Sequence, residues 1–211
     1  MVTYWVKTPQ WLKKLFQKGV LWTIPVVGKA AVYLTFDDGP HPSATSFVLD
    51  ELTKYSARGT FFCVGDNVRK YPDIYERINK EGHLAGNHTY NHISGWKNSN
   101  DVYLKNIVSA AQLITPKIFR PPYGRIKLSQ IRKLRQTGNG WKIYMWDVLC
   151  ADFDRNITPQ QCLDNVLNNI KPGSIVVFHD SDKAWERMNY ALPLVLQYCK
   201  DQGWEMNSLP E

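Results

Sequence analysis

Short apolar runs alternate along the chain with longer segments of helical spacing, and the alternation continues without a long linker, a low-complexity tract or an internal repeat. Runs at 31–36, 59–64, 83–86, 118–120, 142–146, 174–178 and 204–207 are brief, and several are apolar at nearly every position, as strands buried on both faces are. Between them, 43–56, 71–80, 100–114, 128–136, 159–170 and 185–201 have helical length and periodicity. Pro72 and Pro159 suit first helical turns, and Gly173 suits a turn into the next strand. This alternation predicts an α/β chain, built as a closed barrel or as an open doubly wound sheet. In either case chemistry gathers beyond the carboxyl ends of the strands.

At 211 residues the chain can bury one substantial core, and a single domain is expected. Residues 1–28 depart from the alternation, with Trp5, Trp11, Leu12, Leu15, Phe16 and Trp22 interleaved with Lys7, Lys13, Lys14 and Lys18. They are expected to form an amphipathic extension packed on a domain of residues 29–211, a membrane-surface anchor being the alternative.

Composition narrows the classes further. A formal charge of +7 favours an anionic partner, but the basic residues are scattered and no nucleic-acid-binding motif accompanies them, so nucleic acid is not expected. No run approaches the length of a membrane span, and no secretory leader is evident. A soluble monomer is expected, cytoplasmic as the sequence stands, with envelope or extracellular action if a leader has been removed. Cys63, Cys150, Cys162 and Cys199 are widely spaced and are expected to be buried thiols.

Five polar clusters follow the predicted strands. Thr35-Phe36-Asp37-Asp38-Gly39-Pro40 sets two adjacent carboxylates at a strand end, where their mutual repulsion is relieved if one binds a cation; a simple turn would use the same residues. His88-Thr89-Tyr90-Asn91-His92 spaces two imidazoles so that one helical turn would aim both at a single ion. With Asp38 they offer two nitrogens and one carboxylate, a set that leaves coordination positions open, as catalytic sites do. His83 is expected to be a hydrogen-bonded structural residue.

Arg120-Pro121-Pro122-Tyr123-Gly124 holds a guanidinium beside a stiff turn. Met145 to Phe153 carries Asp147 and Asp152 out of a strand, and Ile175 to Asp180 ends a buried strand in His179, a group able to donate a proton near neutrality.

In this order the clusters resemble the motifs of the polysaccharide deacetylase family, also called the NodB homology domain or carbohydrate esterase family 4, from about Val32 to Asp180. The resemblance implies a distorted (β/α)7 barrel that removes N-acetyl groups from a carbohydrate substrate built of N-acetylated amino sugars. It implies Asp37 as general base, Asp38, His88 and His92 as ligands of a divalent metal ion, and Arg120 as the group orienting the base. Tyr123 would support the oxyanion through its amide, and His179 would be the general acid, steadied by Asp152. Zinc is the expected ion, and the same ligands suit cobalt, nickel or iron. The fourth motif departs from the family pattern at Leu149 and Phe153, which points to an altered wall on the sugar side. Two other readings use the same barrel: a hydrolase of small amides or cyclic imides, and a catalytically silent carbohydrate binder using Trp96, Trp141 and Trp185 as platforms.

Overall fold

The computed structural model describes residues 4–16, 19–138 and 140–211, without the side chain of Leu15; Lys18 of the extension lies outside the described residues. The strands are β1 Ala31–Asp37, β2 Thr60–Cys63, β3 Leu84–Asn87, β4 Ile118–Phe119, β5 Lys142–Ile143, β6 Val148–Leu149, β7 Ile175–His179 and β8 Glu205–Met206. The helices are α1 Gln10–Phe16, α2 Ala44–Lys54, α3 Gly65–Lys70, α4 Pro72–Lys80, α5 Asn100–Ala110, α6 Leu128–Gln136, α7 Pro159–Leu167 and α8 Trp185–Asp201. Apart from α1 and α3, each helix lies within a segment of helical periodicity. Pro72 and Pro159 open their helices as expected, because a first-turn residue needs no N–H partner.

All named strand pairs are parallel, in the order β5-β4-β3-β2-β1-β7-β6, with β8 against the start of β1. The segment carrying β5 and β6 closes the path, and the fold is a distorted (β/α)7 barrel in one α/β domain. Lys142 and Tyr144 donate to the β4 side at Lys117 and Phe119, whereas Asp147 and Cys150 donate to Ile175 and Val177 of β7.

The expected continuous strand over 142–146 stops after Ile143 as β5, with β6 beginning only at Val148, and the cause is competition for its backbone. Arg120 donates to the carbonyls of Tyr144 and Met145, and the Met145 amide donates to Leu21 in the N-terminal segment. Those groups are not free for a regular ladder.

Side-chain alternation along β1 divides the core. Val32, Leu34 and Phe36 face the layer of α2, α7 and α8, where Phe36 stacks on Phe61 at 4.9 Å. On the other face, Phe62, Ile118, Tyr144 and Ile175 fill the barrel with Leu209. Leu209 is buried, its amide donates to Thr60 Oγ1, and the Tyr144 hydroxyl donates to Pro210, so the C-terminal tail plugs the end where strands begin. All four cysteines are free and buried.

The N-terminal segment runs along the outside of the closing strands. It bridges antiparallel to β6 at Lys7 and Val148, parallel to Tyr144 at Leu21, and antiparallel to Ser174 at Thr23. Leu12 and Phe16 pack on a cluster with Trp22, Ile131, Leu134 and Trp141, while Trp5 and Trp11 stay exposed. Its lysines explain the attachment: Lys7 lies 2.5 Å from the buried Asp147, and Lys13 pairs with the other oxygen of that carboxylate. No described helix is long and apolar enough to cross a membrane.

Candidate functional site

The in-register pairing of Asp37 with His179 across β1 and β7 brings two of the polar clusters side by side at the carboxyl ends of the strands. Asp37 is buried and lies 2.7 Å from Arg120 Nη1, which also donates to Thr35 Oγ1 at 2.7 Å. The guanidinium is fully buried, sits 4.1 Å from the Phe62 ring centre, and spends its other donors on the Tyr144 and Met145 carbonyls. Burial lowers the Arg120 pKa, and the Asp37 charge counters part of that effect. The arrangement fixes one Asp37 oxygen and offers the second to a reactant.

Asp38 follows with φ 86, a left-handed conformation costly for a residue with a Cβ. The turn beyond it needs Gly39, because a Cβ there would lie 2.1 Å from Asp180. Asp180, buried, accepts from the Gly39 amide at 3.0 Å and from the Thr45 hydroxyl, and Asn67 Nδ2 donates to the Asp38 carbonyl at 2.7 Å. Burial pushes the Asp180 carboxyl up to about 8, with the Asp38 charge adding to the effect. Asp180 thus braces the turn, a role its place beside His179 in the sequence did not disclose.

His88 and His92 meet, but not on a helical turn as their spacing suggested. After β3 the chain forms an irregular loop with φ 64 at Thr89 and φ 53 at His92. Side chains replace the helical ladder there: Asn87 accepts from Thr89 N, Asn106 accepts from Tyr90 N and Asn91 N, and Thr89 Oγ1 accepts from Ile93 N. The His88 ring is fixed by Nδ1, 2.8 Å from the Arg120 carbonyl, an arrangement that leaves Nε2 as the lone-pair atom. Burial lowers the His88 pKa to about 4, keeping that lone pair unprotonated near neutrality.

Asp38, His88 and His92 each offer one ligand atom, and the three lie within 4.8 Å of one another. His92 Nε2 is 3.0 Å and His88 Nε2 3.8 Å from Asp38 Oδ1, a buried oxygen with no well-formed hydrogen bond. Burial raises the Asp38 carboxyl, but His92 against it, with His179 and His88, outweighs this and holds it below the usual carboxylate range. A buried anionic oxygen facing two imidazole nitrogens is what a divalent cation would satisfy, so the residues fit such an ion.

Tyr123 also adopts a left-handed conformation, φ 61, and its exposed ring lies 4.7 Å from that of His92. Across the site, the Asp152 carboxylate takes the His179 amide and lies against its Nδ1, both at 2.7 Å. Burial alone would lower the His179 pKa; the Asp152 charge and hydrogen bond outweigh it and raise the ring to about 10. Phe153 packs edge-on against His179 at 5.2 Å and against Tyr4 at 5.5 Å, so the departure in the fourth motif is filled by a residue of the N-terminal segment.

The structure therefore gathers Asp37, Asp38, His88, His92, Arg120, Tyr123, Asp152 and His179 at one mouth. Asp147, the other acid of the fourth cluster, turns away to hold Lys7 and Lys13. His83 is buried, accepts from the Gly59 amide at 3.2 Å and packs against Phe61, outside the mouth.

Comparison with known proteins agrees with this geometry. The sequence model for polysaccharide deacetylase matches residues 25–140. A peptidoglycan-N-acetylglucosamine deacetylase of Bacillus cereus is 34% identical over 86% of this chain and 68% of its own length. A chitooligosaccharide deacetylase of Azorhizobium caulinodans is 31% identical over 86% of this chain and 94% of its own. Among solved structures, the Bc1960 peptidoglycan N-acetylglucosamine deacetylase, in complex with 4-naphthalen-1-yl-N-oxidanyl-benzamide, superposes with a TM-score of 0.85 at 32% identity, covering 94% of each chain. From the closing strand segment to the aspartate and histidine cluster at its mouth, this chain belongs to the polysaccharide deacetylase family.

Proposed function

We propose that the protein is a metal-dependent hydrolase that removes N-acetyl groups from N-acetylglucosamine units of a polysaccharide or oligosaccharide, of peptidoglycan or chitin-oligomer type. One observation carries the reading: the Asp38, His88 and His92 ligand atoms converge within 4.8 Å at the mouth that also holds the Asp37–Arg120 and Asp152–His179 pairs. The names of the related enzymes support the substrate class.

A divalent cation bound by Asp38, His88 and His92, zinc being the expected one, would acidify water and polarise the acyl oxygen. Asp37, oriented through one oxygen by Arg120, accepts a proton from the attacking water at its other oxygen. The Tyr123 amide donates to the oxygen on which negative charge develops. His179, its Nδ1 proton held by Asp152, gives the Nε2 proton to the departing sugar nitrogen, without which the amine is a poor leaving group. Base and acid stand on neighbouring strands, so one displacement uses both.

The test is metal analysis of the purified protein joined to acetate release from chitin oligomers and peptidoglycan fragments. The expected result is about one equivalent of metal, acetate release, and an Asp37→Asn variant that keeps metal while losing at least about a hundredfold in turnover. Near-normal turnover by Asp37→Asn, or absence of acetate release by the metal-loaded protein, would overturn the assignment.

A further inference from the structure

Outside the catalytic cluster, one exposed aromatic is held too firmly for an ordinary surface side chain. Trp96 is 59% exposed, four residues beyond His92 and therefore within roughly 14 Å of it along the chain. Its loop is tied to the one carrying Tyr123. Gly95 N donates to Arg125 O at 3.0 Å, Trp96 Nε1 to Ile126 O at 3.1 Å, the buried Gln130 to Gly95 O at 2.9 Å, and Lys127 Nζ to Asn98 O at 2.7 Å. The approach is so close that a Cβ at Gly95 would meet Arg125 O and Gln130 Oε1 at 2.6 Å. These bonds orient an indole that leaves most of its surface in water.

Arg125 lies over the Trp96 ring at 5.4 Å and is itself exposed. Arg125 has no carboxylate partner among the described residues, as is also true of Arg58, Arg132 and Arg155, but Arg125 alone of these four lies against an exposed indole. Lys97, next to Trp96, is also exposed and without an ion pair among them. An indole fixed in place, with a guanidinium that lacks a carboxylate partner over one face, matches a sugar that stacks on the opposite face and bears a carboxylate. A neutral glycan would use the ring and leave the cation idle.

We propose that Trp96 and Arg125 form a second sugar subsite, which seats a neighbouring unit of an acidic glycan: the indole stacks on the sugar ring and Arg125 takes its carboxylate. The subsite deepens the deacetylase reading, on which its place beside the mouth rests, and it favours a polymer with carboxylate-bearing sugars over a neutral one. Because the loops are held by hydrogen bonds before any ligand arrives, little ordering is left for binding.

Calorimetry on the zinc-loaded protein in an Asp37→Asn background, where turnover is suppressed, tests this. The ligands are chitotetraose and the tetrasaccharide of alternating N-acetylglucosamine and N-acetylmuramic acid, whose lactyl ether carries a carboxylate. The acidic ligand binds more tightly, and its advantage shrinks as salt is raised. Arg125→Gln weakens the acidic ligand about fivefold and leaves chitotetraose within about twofold, while Trp96→Ala weakens both and Trp96→Phe restores much of the loss. Unchanged affinity of the acidic ligand in Arg125→Gln, or of both ligands in Trp96→Ala, overturns the subsite. Acetate release by the otherwise unaltered protein is followed separately: the predicted binding pattern without release would refute the deacetylase reading and leave the subsite standing.

Discussion

His179 gives one carboxylate two contacts at once: its amide donates to Asp152 Oδ2 while its ring Nδ1 rests 2.7 Å from Asp152 Oδ1. The backbone contact sets where the ring begins and the second sets its tautomer and charge. With the ring raised to about 10, the protonated acid survives through neutral pH and is lost only on the alkaline side. Asp152→Asn keeps a similar shape but loses the charge, so the alkaline limb of the pH–rate profile should move to lower pH and kcat should fall about a hundredfold or more. An unmoved limb, in rates measured from pH 6 to 11, would separate Asp152 from the acid.

The two histidines of the ligand cluster should answer differently to truncation. His92 is partly exposed and His88 fully enclosed. His92→Ala should lose metal and turnover with little change in melting temperature. His88→Ala should lose both and also cost about 2 kcal/mol of stability through the cavity it leaves. Elemental analysis beside thermal denaturation distinguishes them, and full metal content in His92→Ala would remove that residue from the ligand set.

Acid should weaken the fold through His83. Burial lowers its pKa to about 4, so between that value and the ordinary 6.5 the folded state holds fewer protons than the unfolded chain. The group therefore costs nothing above about pH 7, and stability falls as pH drops through 6.5 toward 4, by about 2 kcal/mol between pH 8 and pH 5. Urea midpoints at the two pH values should lie closer together in His83→Gln; an identical interval would assign the acid sensitivity elsewhere.

Asp147 should govern the N-terminal segment. Removing its charge leaves Lys7 and Lys13 without their shared partner, and Asp147→Asn should cost on the order of 3 kcal/mol. Amide exchange over residues 4–16 should accelerate more than that of β1. Equal protection in variant and parent would show that apolar contacts of Leu12 and Phe16 suffice.

What the sequence disclosed follows the range of each interaction. Asp37 and Asp38, the two histidines and His179 could be expected at one mouth because each lies in a short polar run that follows a strand. The alternation of runs likewise located most helices and the β1, β2 and β7 strands, since burial of a face repeats at a fixed period. The loop joining His88 to His92 escaped because its shape depends on Asn87 and Asn106, whose side chains substitute for a backbone ladder that periodicity presumes. The break between β5 and β6 had a similar origin in the reach of Arg120 to two carbonyls. Asp147 and Asp152 stand together in the sequence as the acids of the fourth cluster, while their different directions depend on the strand segment that separates them.

Tyr4 rests on Phe153 beside the acid, and Leu209 sits in the floor where strands begin. The two ends of the described chain therefore leave the barrel on opposite sides. Immobilising the protein through its C-terminal side would present the open mouth to a polymer in solution, whereas attachment at Tyr4 would begin beside the entrance.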